Sequence, residues 1–176
     1  MTVTGALTGP DVAGKKVALE GTPFPFIAPF QQIGNTVLTS PQGAYSFVLS
    51  ASITSQFRVV NQSKPSVVSP VLTANVALAT SLKVRRPRRA GGRFRFSGRV
   101  TPARVGNAVL IQRRAKRRWA TVSLTLTRAR TSAYSGFSKR LRLRRAGKYR
   151  AVVRTTGGDY VDGKSRSVRI KRRQLR

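Results

Sequence analysis

The chain has 176 residues, enough for one ordinary domain or two small ones, and sets 35 Lys and Arg against four Asp and Glu. Cys and His are both absent, which excludes a disulfide framework, thiolate metal sites, the commonest zinc ligand and the commonest general base. No apolar run approaches the roughly 20 residues that span a bilayer as a helix, and the abundance of Val, Leu, Ser, Thr and Gly is the vocabulary of strands and turns.

The charge is lopsided. Residues 1–82 hold Lys15, Lys16, Arg58 and Lys64 against Asp11 and Glu20, a net charge of +2; residues 83–176 hold the other 31 of the 35 basic groups against Asp159 and Asp162, a net charge of +29. Such an excess repels itself and attracts polyanions at low salt. The preponderance of Arg over Lys favours bidentate contact with phosphate, sulfate or carboxylate. Arginine-rich codon usage is the bland explanation of the bias, and the near-neutral first half argues against it as the whole account.

In chain order, the opening "MTVTGALTG" lacks the basic start and apolar core of a secretory signal and reads as a first strand. The turn signals "TGPD", "VAGK", "IGN" and "SPQG" then punctuate the first half. Val76 to Ala79 are expected to complete a first sandwich, and Pro87 with Gly91 and Gly92 to bracket a junction. Beyond it, period-two alternation is clear. Phe94, Phe96 and Val100 share one face against Arg93, Arg95, Ser97 and Arg99. Ala120, Val122, Leu124 and Leu126 oppose Thr121, Ser123, Thr125 and Thr127. Leu141 and Leu143 alternate with Arg142 and Arg144; Tyr149, Ala151 and Val153 with Arg150, Val152 and Arg154; "SVRIK" adds Val168 and Ile170. These are half-buried antiparallel strands, apolar side in and arginine out, and "VGN", "RAG" and "TGGD" separate them at sandwich spacing.

The two halves are one unit written twice. With Val3 laid on Phe96, "VTGALT" faces "FSGRVT", "VAGKKVALE" faces "VGNAVLIQ", Phe30 falls near Trp119, "AYSF" meets "AYSGF", and "FRVV" meets "YRAVV". No stretch holds a helical period over three turns. The expected fold is all-β: two tandem antiparallel β-sandwiches of the immunoglobulin/fibronectin-III-like kind, about seven strands each. The first covers residues 1–82 and the second 94–173, with a basic linker over 83–93.

The string "FSGRVTPARVGNAVLIQRRAKRRWATVSLTLT…GFSKRLRLRRAGKYRAVVRTTGGDYVDGKSRSVRI" resembles the immunoglobulin-like repeats of exported actinobacterial proteins. The resemblance covers Phe94 to Lys171 well and Val3 to Val76 more loosely, where "TPFPFIAPFQQIGN" replaces the usual short hairpin. Such repeats are spacers and adhesive modules without shared catalytic residues. The resemblance therefore implies a non-enzymatic module of an extracellular or cell-surface protein.

Candidate sites follow from charge. "RRPRRAGGRFR" (Arg85–Arg95) has the composition of a nucleic-acid-binding or nuclear-localisation run and is read as a solvated linker. "QRRAKRRW" sits where a hairpin tip belongs, as a phosphate clasp or a turn kept soluble by charge. Phe94, Phe96, Trp119, Phe137 and Tyr149 are assigned to the core rather than to stacking platforms for bases. Asp159 and Asp162 share one loop, too few carboxylates for calcium, so the loop is read as a turn. No catalytic, metal or cofactor residues are assigned. The expected polyanion-binding residues are Arg113, Arg114, Arg117, Arg118, Arg142, Arg144 and Arg150. Their expected partner is an anionic cell-wall polymer or polysaccharide. The competing reading is a nucleic acid held non-specifically through its phosphates, and the oligomeric state is left open.

Overall fold

The computed structural model describes residues 1–64, 66–86 and 92–175, so residues 87–91 of the expected linker, with Pro87 and Gly91, lie outside it. The fold is nearly all-β: the described residues contain no α-helix, and one 3-10 turn at Arg172–Gln174. The chain divides into two compact units. The first is Met1–Val76 with Gly158–Tyr160, and the second is Ala77–Gly157 with Val161–Arg176.

In the first unit, β1 (Thr2–Ala6) is followed by β2 (Lys16–Pro23), β3 (Gln31–Gln32) and β4 (Val37–Leu38). Then come β5 (Ala44–Val48), β6 (Ser55–Asn61), β7 (Val67–Val68) and β8 (Leu72–Ala74). Among the described residues β1 pairs with β5 alone, while β2 and β6 lie at the centre of a six-stranded sheet. The core consists of Val17, Leu19, Phe57 and Val59 from the larger sheet, with Phe47 from the smaller and Val3 and Tyr45 packed against them. Two facing antiparallel sheets with alternate residues pointing inward suit a β-sandwich.

The second unit opens with β9 (Ala79–Thr80), β10 (Lys83–Arg85), β11 (Phe94–Thr101), β12 (Ala108–Ala115) and β13 (Arg118–Leu126). It continues with β14 (Arg128–Ala129), β15 (Ser135–Leu141), β16 (Gly147–Val153), β17 (Gly163–Lys164) and β18 (Val168–Ile170). One sheet runs β10-β11-β15-β14 with β9 also on β11; the other runs β13-β12-β16-β17 with β18 also on β16. Phe94, Phe96, Val100 and Phe137 from the first sheet meet Val109, Ile111, Tyr149, Ala151 and Val153 from the second, all buried. The Phe96 and Tyr149 rings lie 5.6 Å apart. The Tyr149 hydroxyl donates to the Arg145 carbonyl four residues upstream.

The register departs from the sequence expectation in three places. Ala79, expected to close the first sandwich, belongs to the second unit, where Ala79–Thr80 pair with Val100–Thr101. Lys83–Arg85, expected in a linker, form a strand along Arg95–Ser97. Alternation explains both: Leu78 is buried and Thr80, Leu82 and Val84 are half-buried, whereas Ala79, Ser81, Lys83 and Arg85 are exposed, which is the pattern of a sheet strand.

The third departure is in β13. The register shifts between Ile111 and Gln112, so Val122 is an extra residue. A bulge of this kind reverses the faces on one side of it. Ser123 and Thr125 therefore lie opposite the fully buried Ile111 and Val109, while Leu124 (52% exposed) and Leu126 (50% exposed) face outward. The expectation that the apolar side of β13 faces in is thus reversed beyond Val122. Trp119 is likewise not in the core: it is half-buried, opposite Arg114.

The internal repeat is visible in the pairing. Gly5 of β1 lies opposite Tyr45 and Gly98 of β11 opposite Phe137. A Cβ on Gly5 would fall 2.6 Å from the Tyr45 ring, and one on Gly98 2.5 Å from the Phe137 ring. In both units a glycine leaves room for the aromatic across the ladder. Tyr45, rather than Phe47, is thus the counterpart of Phe137, two residues away from the match suggested by "AYSF" and "AYSGF".

Two outcomes test this arrangement. Leu124→Thr should change stability by no more than about 0.5 kcal/mol in chemical denaturation, whereas Ile111→Ala should cost about 2–5 kcal/mol. A side chain at Gly98 would also overlap the Ser81 carbonyl, so Gly98→Ala should lower the stability of the second unit by about 1–3 kcal/mol in the same measurement.

Candidate anion-binding surface of the second unit

The expected site residues fall into separate groups. Arg113 lies on the inner side of its sheet, directly opposite Tyr149. With Arg142, Arg144 and Tyr149 it lines a cleft of about 230 Å³, whose apolar wall includes Leu141 and Leu143. Burial pushes the Tyr149 phenol up from its ordinary pKa, and the Arg113 guanidinium partly opposes this. Arg114, Arg117 and Arg118 are instead exposed around the two-residue turn at Lys116–Arg117, where Lys116 has a φ of 52°.

Arg150 is tied into the fold. Its guanidinium lies 4.2 Å from the Trp119 ring centroid, and its Nε donates to Gln112 Oε1 at 2.9 Å. Burial lowers its pKa. The first unit repeats this arrangement at the corresponding positions: Arg58 lies 4.4 Å from the Phe30 ring and its Nε donates to Glu20 Oε2 at 2.7 Å. The same aromatic–arginine–acceptor cluster occurs in the near-neutral unit, so its role is to pin the sheet face. The aromatic changes from Phe30 to Trp119 and the acceptor from Glu20 to Gln112, so that a carboxylate neutralises Arg58 whereas an uncharged amide accepts from Arg150.

A second concentration of cations lies on the outer face of the β10-β11-β15-β14 sheet. Residues directly opposite in a ladder share a face, and three rows result. Arg85, Arg95 and Arg140 stand side by side across three strands; Lys83, Ser97 and Ser138 form the next row; Arg99, Gly136 and Arg128 form the third. Like charges placed directly opposite destabilise a sheet, and no Asp or Glu occurs in these strands. Among the described residues Asp11, Glu20 and Asp162 pair elsewhere, with Lys15, Arg58 and Arg154.

Along these rows runs a shallow groove of about 760 Å³. Its cations are Lys83, Arg95, Arg99 and Arg130, and Ser81, Ser97 and Ser138 contribute hydroxyls. Arg95 Nε donates to Ser138 Oγ at 3.0 Å. The Arg99 guanidinium rests 4.7 Å from the Tyr134 ring centroid. Gly136 leaves space for Arg130, whose Cγ would lie 3.0 Å from a Cβ at that position. Arg95 is thereby held by a hydrogen bond and Arg99 by a ring contact, and both line the groove. Guanidinium forks match the oxygens of phosphate, sulfate or carboxylate.

Lys83, Arg95, Arg99 and Arg130 were not among the expected site residues. The alternation in "RFRFSGR" placed two of them on an outer face, but only the pairing of β10 and β15 with β11, and of β14 with β15, brings the others beside them. Asp162 accepts from Arg154 Nη1 and from the Thr155 N–H, so it organises its turn. Among the described residues no three metal-ligating side chains come together.

No protein-family model matches the chain, and no curated protein matches it.

A double-mutant cycle of Arg150→Ala with Trp119→Ala should give a coupling of about 0.5–1 kcal/mol by chemical denaturation, as expected for a cation–π pair at an accessible site.

Proposed function

We propose that the chain is a non-enzymatic module of an exported or cell-surface protein, made of two immunoglobulin-like sandwiches, whose second unit holds an anionic polymer on the outer face of the β10-β11-β15-β14 sheet. The hydroxyl of Tyr149 reaching back to the Arg145 carbonyl supports the immunoglobulin-like reading, since a tyrosine bonded to backbone a few residues upstream is a feature of such sandwiches. The observation that carries the binding reading is the cross-strand row Arg85–Arg95–Arg140 beside the groove, with no carboxylate in its strands. Bringing like charges together costs stability, and an anionic partner offsets that cost.

The groove favours a ligand recognised by charge alone. Of its lining aromatics, Phe137 is buried and Tyr134 carries Arg99 on one face, which is therefore not offered to a nucleobase. A linear wall polymer or acidic polysaccharide, bearing phosphate or carboxylate at short intervals, meets the requirement. Each contact releases counterions and makes affinity fall with salt.

The test titrates the full chain at physiological salt with purified anionic wall polymer and, in parallel, with duplex DNA. A variant combining Lys83→Gln, Arg95→Gln, Arg99→Gln and Arg130→Gln should bind the polymer more weakly. Its slope of log affinity against log salt should be shallower by about 0.7–0.9 for each ligand anion that the variant no longer neutralises. Unchanged affinity in this variant would remove the groove from the binding surface. Tighter binding of the wild-type chain to DNA than to wall polymer would make nucleic acid the partner. Binding to neither would leave a charged spacer.

A further inference from the structure

The repeat leaves one position filled in the second unit and open in the first. The glycines opposite aromatics equate Gly5 with Gly98, and therefore Thr2, Thr4 and Ala6 with Arg95, Ser97 and Arg99. β11 is paired along both edges. On the side away from β15, β9 and β10 follow it from Thr101 to Arg95. Between them the Ser81 N–H donates to the Arg99 carbonyl at 3.0 Å, and the Arg99 N–H donates to Ser81 Oγ at 2.9 Å.

Among the described residues, β1 has β5 on one side and no paired strand on the other. Leu7 donates its N–H to the Gly43 carbonyl, and the Met1 carbonyl accepts from the Leu49 N–H. In an antiparallel ladder the backbone groups of successive residues point to alternate sides. Odd-numbered residues of this stretch therefore face β5, and the N–H and C=O groups of Thr2, Thr4 and Ala6 face the open edge. The corresponding residues of β11 are the ones that face β9 and β10.

Burial agrees with the pairing. Phe96 is fully buried, while its counterpart Val3 is only half-buried against the first unit's core. The open edge also lacks the usual protection: Thr2–Ala6 contain no charged residue and no proline, the devices that keep an exposed edge from pairing.

We propose that the open edge of β1 is an acceptor for an extended segment of the type that covers β11, supplied by another copy of this repeat. The occupant runs antiparallel to β1. It carries apolar or small side chains at alternate positions, as Leu78, Thr80, Leu82 and Val84 do, and a hydrogen-bonding residue in the place of Ser81. Main-chain bonds along the edge supply affinity, and the alternate side chains extending over the core supply register. Repeats joined in this way form an array in which each connecting strand completes the sheet of the next sandwich. The inference is independent of the polyanion surface, since it concerns the other unit and a different chemistry.

The experiment places a second copy of residues 77–93 directly ahead of Met1, which reproduces the spacing before Phe94. Backbone amide exchange is read at Thr2, Thr4 and Ala6, with the β6 amides reporting that the first unit is folded. Exchange at the three sites should slow by about tenfold or more. Replacing the serine that copies Ser81 with proline removes one donor and should abolish most of the slowing. A free peptide of residues 77–86, added to the unmodified chain, should slow the same three amides in a concentration-dependent way. Unchanged exchange with both the extension and the peptide would overturn the proposal, as would equal slowing by the proline form.

Discussion

The close approach of the Ser81 backbone to Gly98 is the contact on which the second unit's distinctive surface depends. Any side chain on Gly98 would overlap the Ser81 carbonyl and the Phe137 ring. With none, the segment Ala79–Arg85 lies along β11 and hydrogen-bonds to it. This pairing sets Lys83 and Arg85 one strand away from Arg95 and Ser97, and so widens a charged strand into a charged face. The same segment covers the edge of β11 and helps bury Phe96 more completely than Val3 is buried in the first unit.

A net charge of +29 over residues 83–176 is compatible with a folded unit because the two jobs are divided between faces. The buried side chains are mainly apolar, with Thr127, Ser135 and Ser165 among them, and most of the guanidinium groups, with Arg113 the exception on the inner side, lie on exposed or half-buried residues, where screening limits their repulsion. A few arginines are held in place besides. Arg150 on Trp119 and Arg99 on Tyr134 exchange some mobility for a fixed direction. The first unit uses the Phe30–Arg58–Glu20 cluster with its charge neutralised, so the cluster itself is architectural and the surplus charge of the second unit is superimposed on it.

The open edge of β1 and the charged face of β11 are two consequences of one repeated topology. Where the connecting strand is present, it closes a hydrogen-bonded edge and carries cations. Beside β1, among the described residues, no such strand is paired, and the backbone groups of Thr2, Thr4 and Ala6 line that side.

Much of this was legible in the sequence, and the limits have identifiable causes. Alternation in "RFRFSGRV" and "YRAVVR" assigned the inner faces of β11 and β16, because a strand with one buried side must keep period two. The paired matches around Gly5 and Gly98, and around Phe57 and Tyr149, revealed the duplication. Alternation does not show where a strand contains an extra residue. The bulge at Val122 turned Leu124 and Leu126 outward although their pattern was intact. Nor does it name a strand's neighbours: Lys83, Arg95, Arg99 and Arg130 are scattered along the chain and become one groove only through the pairing of β10, β11, β15 and β14. The local order of apolar and polar residues was enough to assign the strand class, the repeat and the side of each regular strand that meets the core. Which cations share a surface, and which edge stays open, emerged only on folding, since both depend on hydrogen bonds between segments far apart in the chain.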